Sequence, residues 1–162
     1  MGIVTREEAI KLASLLRKDG RIIVLANGVF DLFHPGHAVY LKEAKAYGDV
    51  LFVAVNSDAS VKRIKGEKRP IQTEEERAFL VSCIRWVDYV FIFDEENVEK
   101  VLREIKPHFH AKGGDYTPDT VPEREVAISI GTKTVIAGSE KIASTTDIIR
   151  KILEEYKCNQ DE

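Results

Sequence analysis

Apolar residues gather into short runs at Ile22 to Ala26, Val50 to Asn56, Tyr89 to Phe93, Phe109 to Lys112 and Thr134 to Ala137. Each run has the length of a strand, and the stretches between them carry apolar residues at helical spacing. Runs that are apolar at consecutive positions suit parallel strands, which must be dry on both faces. Their alternation with amphipathic helices predicts an α/β fold, a single doubly wound, Rossmann-like parallel sheet with helices on both faces. Two segments, Thr5 to Glu8 and Thr73 to Glu76, read Thr-x-x-Glu, in which the threonine oxygen and the glutamate cap orphan amides reciprocally, so a helix is predicted to start at each. The 162 residues suffice for one domain that buries most of its unfolded surface and are few for two, so a single domain over 1–162 is expected. The polar tail from Lys157 to Glu162 is expected to fray.

In an open parallel sheet ligands bind beyond the carboxyl ends of the strands, and the glycine-rich and polar segments fall there. After the first run comes Asn27-Gly28-Val29-Phe30-Asp31-Leu32-Phe33-His34-Pro35-Gly36-His37. Proline suits a first helical position because its missing N–H would be unpaired anyway, so a helix is predicted to begin at Pro35. His34 and His37, three apart, can share one side of its first turn, beside amides whose partial positive charge favours phosphate. Gly36 would leave room for a ligand to approach. Two imidazoles donating to phosphate oxygens could stabilise charge developing on a leaving pyrophosphate without a covalent intermediate. A metal pair or two surface histidines are the plainer readings, but no third ligand stands nearby. Asn27 reads as a turn residue and Asp31 as a loop carboxylate, or both as part of the phosphate cradle.

Further along, Lys62, Arg63, Lys65, Lys68 and Arg69 crowd a stretch that contains Gly66 and ends at Pro70. It reads as a movable loop whose cations could close over phosphate, or else as a solvated charged loop. Lys112-Gly113-Gly114-Asp115-Tyr116 follows the fourth run and could bring backbone to a base or sugar, with Asp115 accepting hydrogen bonds, although such a turn is also ordinary punctuation. Ser144, Thr145 and Thr146 precede a helical pattern of isoleucines; one hydroxyl should cap that helix and the others could meet an anion.

Composition narrows the class. The chain is 44% apolar and 31% charged, near globular averages, which excludes disordered, collagen-like and coiled-coil classes. A net charge of -3 argues against nucleic acid as the main partner. No run approaches the length of a membrane span, and the N-terminus lacks a secretory pattern, so a cytoplasmic protein is expected. Cys83, within a helical pattern, and Cys158, in the tail, are expected to be free thiols.

Together these segments resemble the HxGH nucleotidyltransferases, and within them the adenylyltransferase domain that acts on D-glycero-β-D-manno-heptose 1-phosphate in ADP-heptose synthesis. The resemblance rests on Asn27 to His37, Gly48-Asp49, Val55 to Val61, Lys65-Gly66 with Arg69-Pro70-Ile71, Val87-Asp88, Lys112 to Tyr116 and Ser144 to Thr146. It implies ATP as co-substrate, magnesium, and in-line attack of a phosphorylated small molecule on the α-phosphorus. Position by position, it implies that His34 and His37 hold the triphosphate, that Val29 and Phe30 line it by backbone, that Asp115 meets the nucleoside, and that Ser144 or Thr145 meets phosphate. Lys65 is the implied contact from the basic stretch, and a homodimer is compatible with the family.

Some features depart from that pattern. The sugar kinase to which many relatives are fused is missing, which implies either a separate kinase for the substrate or service in another pathway. The approach from Ala137 to Ala143 is unusual, and Val29 stands where cysteine is expected. Arg85-Trp86-Val87-Asp88 resembles the Arg-Tyr-Val-Asp signature of cytidylyltransferases, so CTP with glycerol 3-phosphate or another small phosphate is an alternative. A non-catalytic nucleotide-binding regulator is the alternative of a different class.

Overall fold

The computed structural model describes residues 2–138 and 142–157. In chain order the elements are β1 (Gly2–Ile3), α1 (Arg6–Lys18), β2 (Ile23–Gly28), α2 (Pro35–Lys45), β3 (Val50–Asn56), α3 (Asp58–Lys65), α4 (Glu74–Ser82), β4 (Tyr89–Phe93), α5 (Glu99–Ile105), β5 (Phe109–Gly113), α6 (Arg124–Ser129), β6 (Lys133–Ala137) and α7 (Thr145–Lys157). The strands form one six-stranded sheet in the order β1-β4-β3-β2-β5-β6. Every pairing is parallel. The chain runs from β2 through β3 to β4 on one side and returns to the other side with β5 and β6. The crevice where that direction reverses therefore lies between β2 and β5.

The expected doubly wound sheet is thus present, and the consecutive apolar positions explain it. Along β2, Ile23 and Leu25 enter one core while Val24 and Ala26 enter the other; β3 divides Phe52 and Ala54 from Leu51, Val53 and Val55 in the same way. One face is covered by residues of α2 and α4, the other by residues of α1, α5 and α6. The threonines act as predicted. Thr5 and Thr73 each cap a helix in a reciprocal box with Glu8 and Glu76. Among the described residues no helix is long and apolar enough to cross a membrane.

Two expectations are corrected and one element is added. The basic stretch is not all loop: Lys62, Arg63 and Lys65 belong to α3, which Ser57 caps through the Ser60 amide and Gly66 ends with a φ of 95°. Only Ser60 and Val61 are buried in that helix, so it has no apolar stripe for a periodicity to reveal. β1 was not anticipated, because two residues are too few to show a period. Cys83 is an exposed free thiol at the carboxyl end of α4 rather than within it. Cys158 and the frayed tail beyond Lys157 lie outside the described residues.

Several residues of the resemblance hold the scaffold. Asp49 accepts the Ile22 amide at 2.7 Å, and a side chain at Gly48 would meet the Ile22 carbonyl at 2.7 Å. Asp88 accepts the Leu51 amide at 2.7 Å and the Lys45 ammonium at 2.5 Å. Trp86 is half-buried, with the Lys42 ammonium 5.9 Å from its ring centre.

At the opposite, carboxyl end of the sheet, Arg77 of α4 is fully buried. Its guanidinium donates to the carbonyls of Gln72 (3.0 Å), Val29 (2.7 Å) and Asn56 (2.8 Å) and to the Asp58 carboxylate (2.7 Å). It ties the loops after β2 and β3 to the start of α4. Arg77→Met would strand three buried carbonyls, each costing about 1–3 kcal/mol, and is expected to destabilise the fold by about 3–5 kcal/mol in urea unfolding. A loss below about 1 kcal/mol would show that the clamp is dispensable.

Candidate functional site

Beyond the carboxyl ends of β2, β5 and β6 lies an open cleft of about 570 Å³. Val29 to Asp31, His34, Gly36 and His37 line one wall, Lys65 and Arg69 another, and Gly113 to Asp115 with Ile142 to Thr146 complete it. The loop after β2 and the basic stretch, far apart in sequence, therefore face one space.

The two histidines meet face to face. Their ring centres are 3.7 Å apart with the planes inclined by 21°. The His34 backbone N–H donates to His37 Nδ1 at 3.3 Å, so the neutral His37 ring carries its proton on Nε2, the nitrogen free to donate. Burial, reinforced by the neighbouring His34, lowers the His37 pKa to about 4. Burial also lowers that of His34. Both rings are therefore neutral donors at physiological pH in the unliganded cleft. Gly36 lines the cleft and also makes room for His34: a Cβ there would lie 3.0 Å from the His34 ring and 3.3 Å from the Ala143 carbonyl.

The loop leading to the histidines is bent through left-handed conformations at Phe30 (φ 54°) and Leu32 (φ 49°). Asp31 between them holds this shape. Its buried carboxylate accepts the amides of Ile71 at 3.0 Å and Gln72 at 3.0 Å and the Arg69 Nε at 2.7 Å. Despite burial, these bonds hold its pKa below the ordinary carboxylate range. The side chain expected to help cradle a nucleotide is thus committed within the protein.

Asn27 and Gly28 sit beneath the cleft. Asn27 Oδ1 is 3.0 Å from Nε2 of His110, a fully buried histidine that sequence reasoning missed because it is lost within an apolar run. Gly28 makes room for the Phe30 ring, 3.1 Å from where a Cβ would stand. Tyr40, also overlooked, is buried beside them and donates to the Ala111 carbonyl at 2.8 Å, joining α2 to β5; its position on the helix after the histidines was the signal that could have found it.

The three hydroxyls before α7 divide their work. Ser144 Oγ accepts the Asp147 amide at 3.1 Å and so caps the helix. Thr145 donates to the Asp31 carbonyl at 2.6 Å. Thr146 lines the cleft and is the hydroxyl with no bond among the described residues. Gly138 has a φ of 69° where β6 ends, and a side chain there would meet Tyr40 Cα at 3.3 Å. The unusual approach at Ser139 to Lys141 lies outside the described residues. Among those described, no group of three or more histidine, cysteine, aspartate or glutamate side chains could hold a metal ion.

The sheet and its crevice belong to a fold shared with known proteins. The family model described as cytidylyltransferase-like matches residues 25–160, from β2 past the end of α7. The chain belongs to the cytidylyltransferase-like family. It is 44% identical over 157 residues to the bifunctional protein HldE of Aliarcobacter butzleri, covering 97% of this chain and 32% of that protein. HldE of Geobacter metallireducens is 48% identical over 137 residues, covering 85% of this chain and 28% of that one. This cytidylyltransferase-like chain thus spans about a third of the length of those relatives. The crystal structure of a lipopolysaccharide core biosynthesis protein from Thermoplasma volcanium superposes with a TM-score of 0.62 at 36% identity, over 73% of this chain and 97% of that one. A pantoate-beta-alanine ligase from Francisella tularensis, at 17% identity, TM-score 0.61 and coverage of 99% and 80%, shares the fold.

The buried histidines make the domain acid-sensitive in a definite window. Burial lowers His37 to about 4 and His110 to about 3, whereas in the unfolded chain both protonate near pH 6.5. Between those limits the unfolded chain binds more protons, so stability falls as pH falls below about 6.5 and is unaffected by these groups above it. Replacing both with glutamine is expected to flatten the urea midpoint between pH 7 and 5. An undiminished slope in that double variant would contradict the assignment.

Proposed function

We propose that this domain transfers the AMP moiety of ATP to D-glycero-β-D-manno-heptose 1-phosphate, giving ADP-heptose and pyrophosphate. The observation that carries the reading is the stacked, neutral pair His34 and His37 opening α2 in the cleft at the crevice of the sheet. The heptose acceptor is supported by the residues of the resemblance, by the HldE relatives, and by a structural relative named for lipopolysaccharide core biosynthesis.

An oxygen of the acceptor phosphate attacks the α-phosphorus, the bond from that phosphorus to the bridging oxygen breaks, and pyrophosphate leaves. The attacking oxygen is already anionic near neutral pH, so the site needs no general base. What it needs is stabilisation of the charge that grows on the leaving group. His37 Nε2–H and His34 supply donors, Thr146 and the amino end of α7 supply further polarity, and Lys65 supplies positive charge at the α-phosphoryl group. Asp115, with no ion pair among the described residues, is placed to accept from the nucleoside. Magnesium would enter with the triphosphate, since it is commonly held largely by substrate phosphates. Bound there, it would neutralise phosphate charge. The acceptor is a small molecule and the setting cytoplasmic in this reading.

The segment that suggested CTP does not line the cleft. Asp88 stands at the amino end of the sheet, bound to Leu51 and Lys45, on the far side from the cleft.

Pyrophosphate release, measured with ATP and with CTP against the heptose 1-phosphate, glycerol 3-phosphate, phosphopantetheine and FMN, is expected for ATP with the heptose phosphate. Release with a different pair would replace the substrates, and ATP binding without release would favour a regulator. His37→Ala is expected to lower kcat by about 100-fold, equivalent to roughly 3 kcal/mol of transition-state stabilisation. Near-normal turnover after both histidines are changed would refute their role.

A further inference from the structure

Arg69 is held in a way that an ion pair alone does not explain. Its Nε donates to Asp31 at 2.7 Å, the Asp31 side chain is wholly buried, and that of Arg69 is 19% exposed. Asp31 is itself fixed by the amides of Ile71 and Gln72. The guanidinium is therefore anchored at one nitrogen by a group that cannot turn. Its Nη1 and Nη2 make no hydrogen bond among the described residues, and Arg69 lines the cleft. A planar fork with its terminal edge unpaired in a cleft matches a phosphate in geometry and in charge.

The topology says which phosphate. Arg69 and Lys65 both belong to the connection between β3 and β4, whereas Gly113 to Asp115 and Gly138 end β5 and β6, across the crevice from it. His34 and His37, following β2, stand between the two halves. If the nucleoside lies over β5 and β6, beside Asp115, the remaining phosphate-bearing molecule lies over β3 and β4. In-line transfer requires the attacking oxygen on the side of the α-phosphorus opposite the leaving pyrophosphate. It must also bring two anions together, which calls for a cation held on the acceptor's side.

We propose that Arg69 binds the phosphate group of the acceptor through its Nη edge, with Asp31 as the positioning residue that aims it. This rests on the nucleotidyl-transfer reading but not on the heptose. Any acceptor phosphate would use the same hook.

The test is steady-state kinetics of Arg69→Gln and Arg69→Lys with whichever acceptor the wild-type protein uses, the two KM values being measured separately. Arg69→Gln is expected to raise the acceptor KM about 10-fold or more, the scale of a lost charge-assisted pair, and to leave the ATP KM within about 2-fold. Arg69→Lys, which keeps the charge but not the fork, should fall between. Asp31→Asn, which frees the Arg69 fork and also the loop leading to His34, should raise both KM values but the acceptor KM by the larger factor. An unchanged acceptor KM, or equal rises in both KM values, overturns the proposal, the latter marking Arg69 as a brace for the whole loop. If the wild-type protein turns over no acceptor, the nucleotidyl-transfer reading fails separately. The hook is then read by calorimetric titration of inorganic phosphate into protein loaded with a non-hydrolysable ATP analogue. Binding weakened about 10-fold or more by Arg69→Gln supports the hook, and binding that is absent or equal in both proteins overturns it. Should Arg69→Gln fail to fold, as judged by its thermal midpoint, Arg69→Lys carries the same comparison.

Discussion

The buried guanidinium of Arg77 is the constraint on which the site depends. The loops after β2 and β3 leave the sheet at its carboxyl end, where their carbonyls lose strand partners and would otherwise be buried unpaired. Arg77 reaches one carbonyl of each, at Val29 and Asn56, and a third at Gln72 just before its own helix. A short apolar side chain could fill the space but not satisfy three acceptors in three directions. Because the Val29 loop leads directly to His34, the clamp sets where the histidines begin, and because Gln72 adjoins the Asp31 contacts, it also sets where Arg69 stands.

Around that clamp the charges are sorted by burial. Carboxylates close to the cleft are mostly consumed: Asp31 by Arg69 and two amides, Asp58 by Arg77, and Glu43 by the Gly138 amide at 2.6 Å. Apart from Asp115, what faces the open space is donors, namely two neutral imidazoles, a threonine hydroxyl, a lysine and the edge of an arginine. Neutral histidines suit the chemistry, since a donor that holds its proton in the resting site can share it with an anion without first losing a counter-ion. The cleft is thus built for phosphate while the chain as a whole carries a net negative charge of -3.

Much of this was legible in the sequence because the relevant signals are local. Strands apolar on both faces, threonine capping boxes and a Pro-Gly step between two histidines each act over a few residues. The sheet, two helix starts and the cleft wall from Val29 to His37 followed from them, as did the gathering of polar segments at one end. Other features were illegible because their cause lies far along the chain. Asp31 looked like a free loop carboxylate, yet its partners are 38 to 41 residues away. Arg77 drew no notice on a helix that opens with three glutamates, and only the folded chain shows it donating to the carbonyls of Val29 and Asn56. The α3 helix went unread because it buries little. The division of labour among Ser144, Thr145 and Thr146 depends on which hydroxyl the Asp31 carbonyl approaches, and no spacing rule reports that.

The most direct test of this account is a crystal structure of the domain with magnesium and a non-hydrolysable ATP analogue. The phosphate chain is expected within hydrogen-bond distance of His37 Nε2 and the amino end of α7, with the nucleoside beside Asp115 and the α-phosphorus open toward Lys65 and Arg69. A nucleotide bound outside this cleft, or one whose phosphates turn away from both histidines, would contradict it.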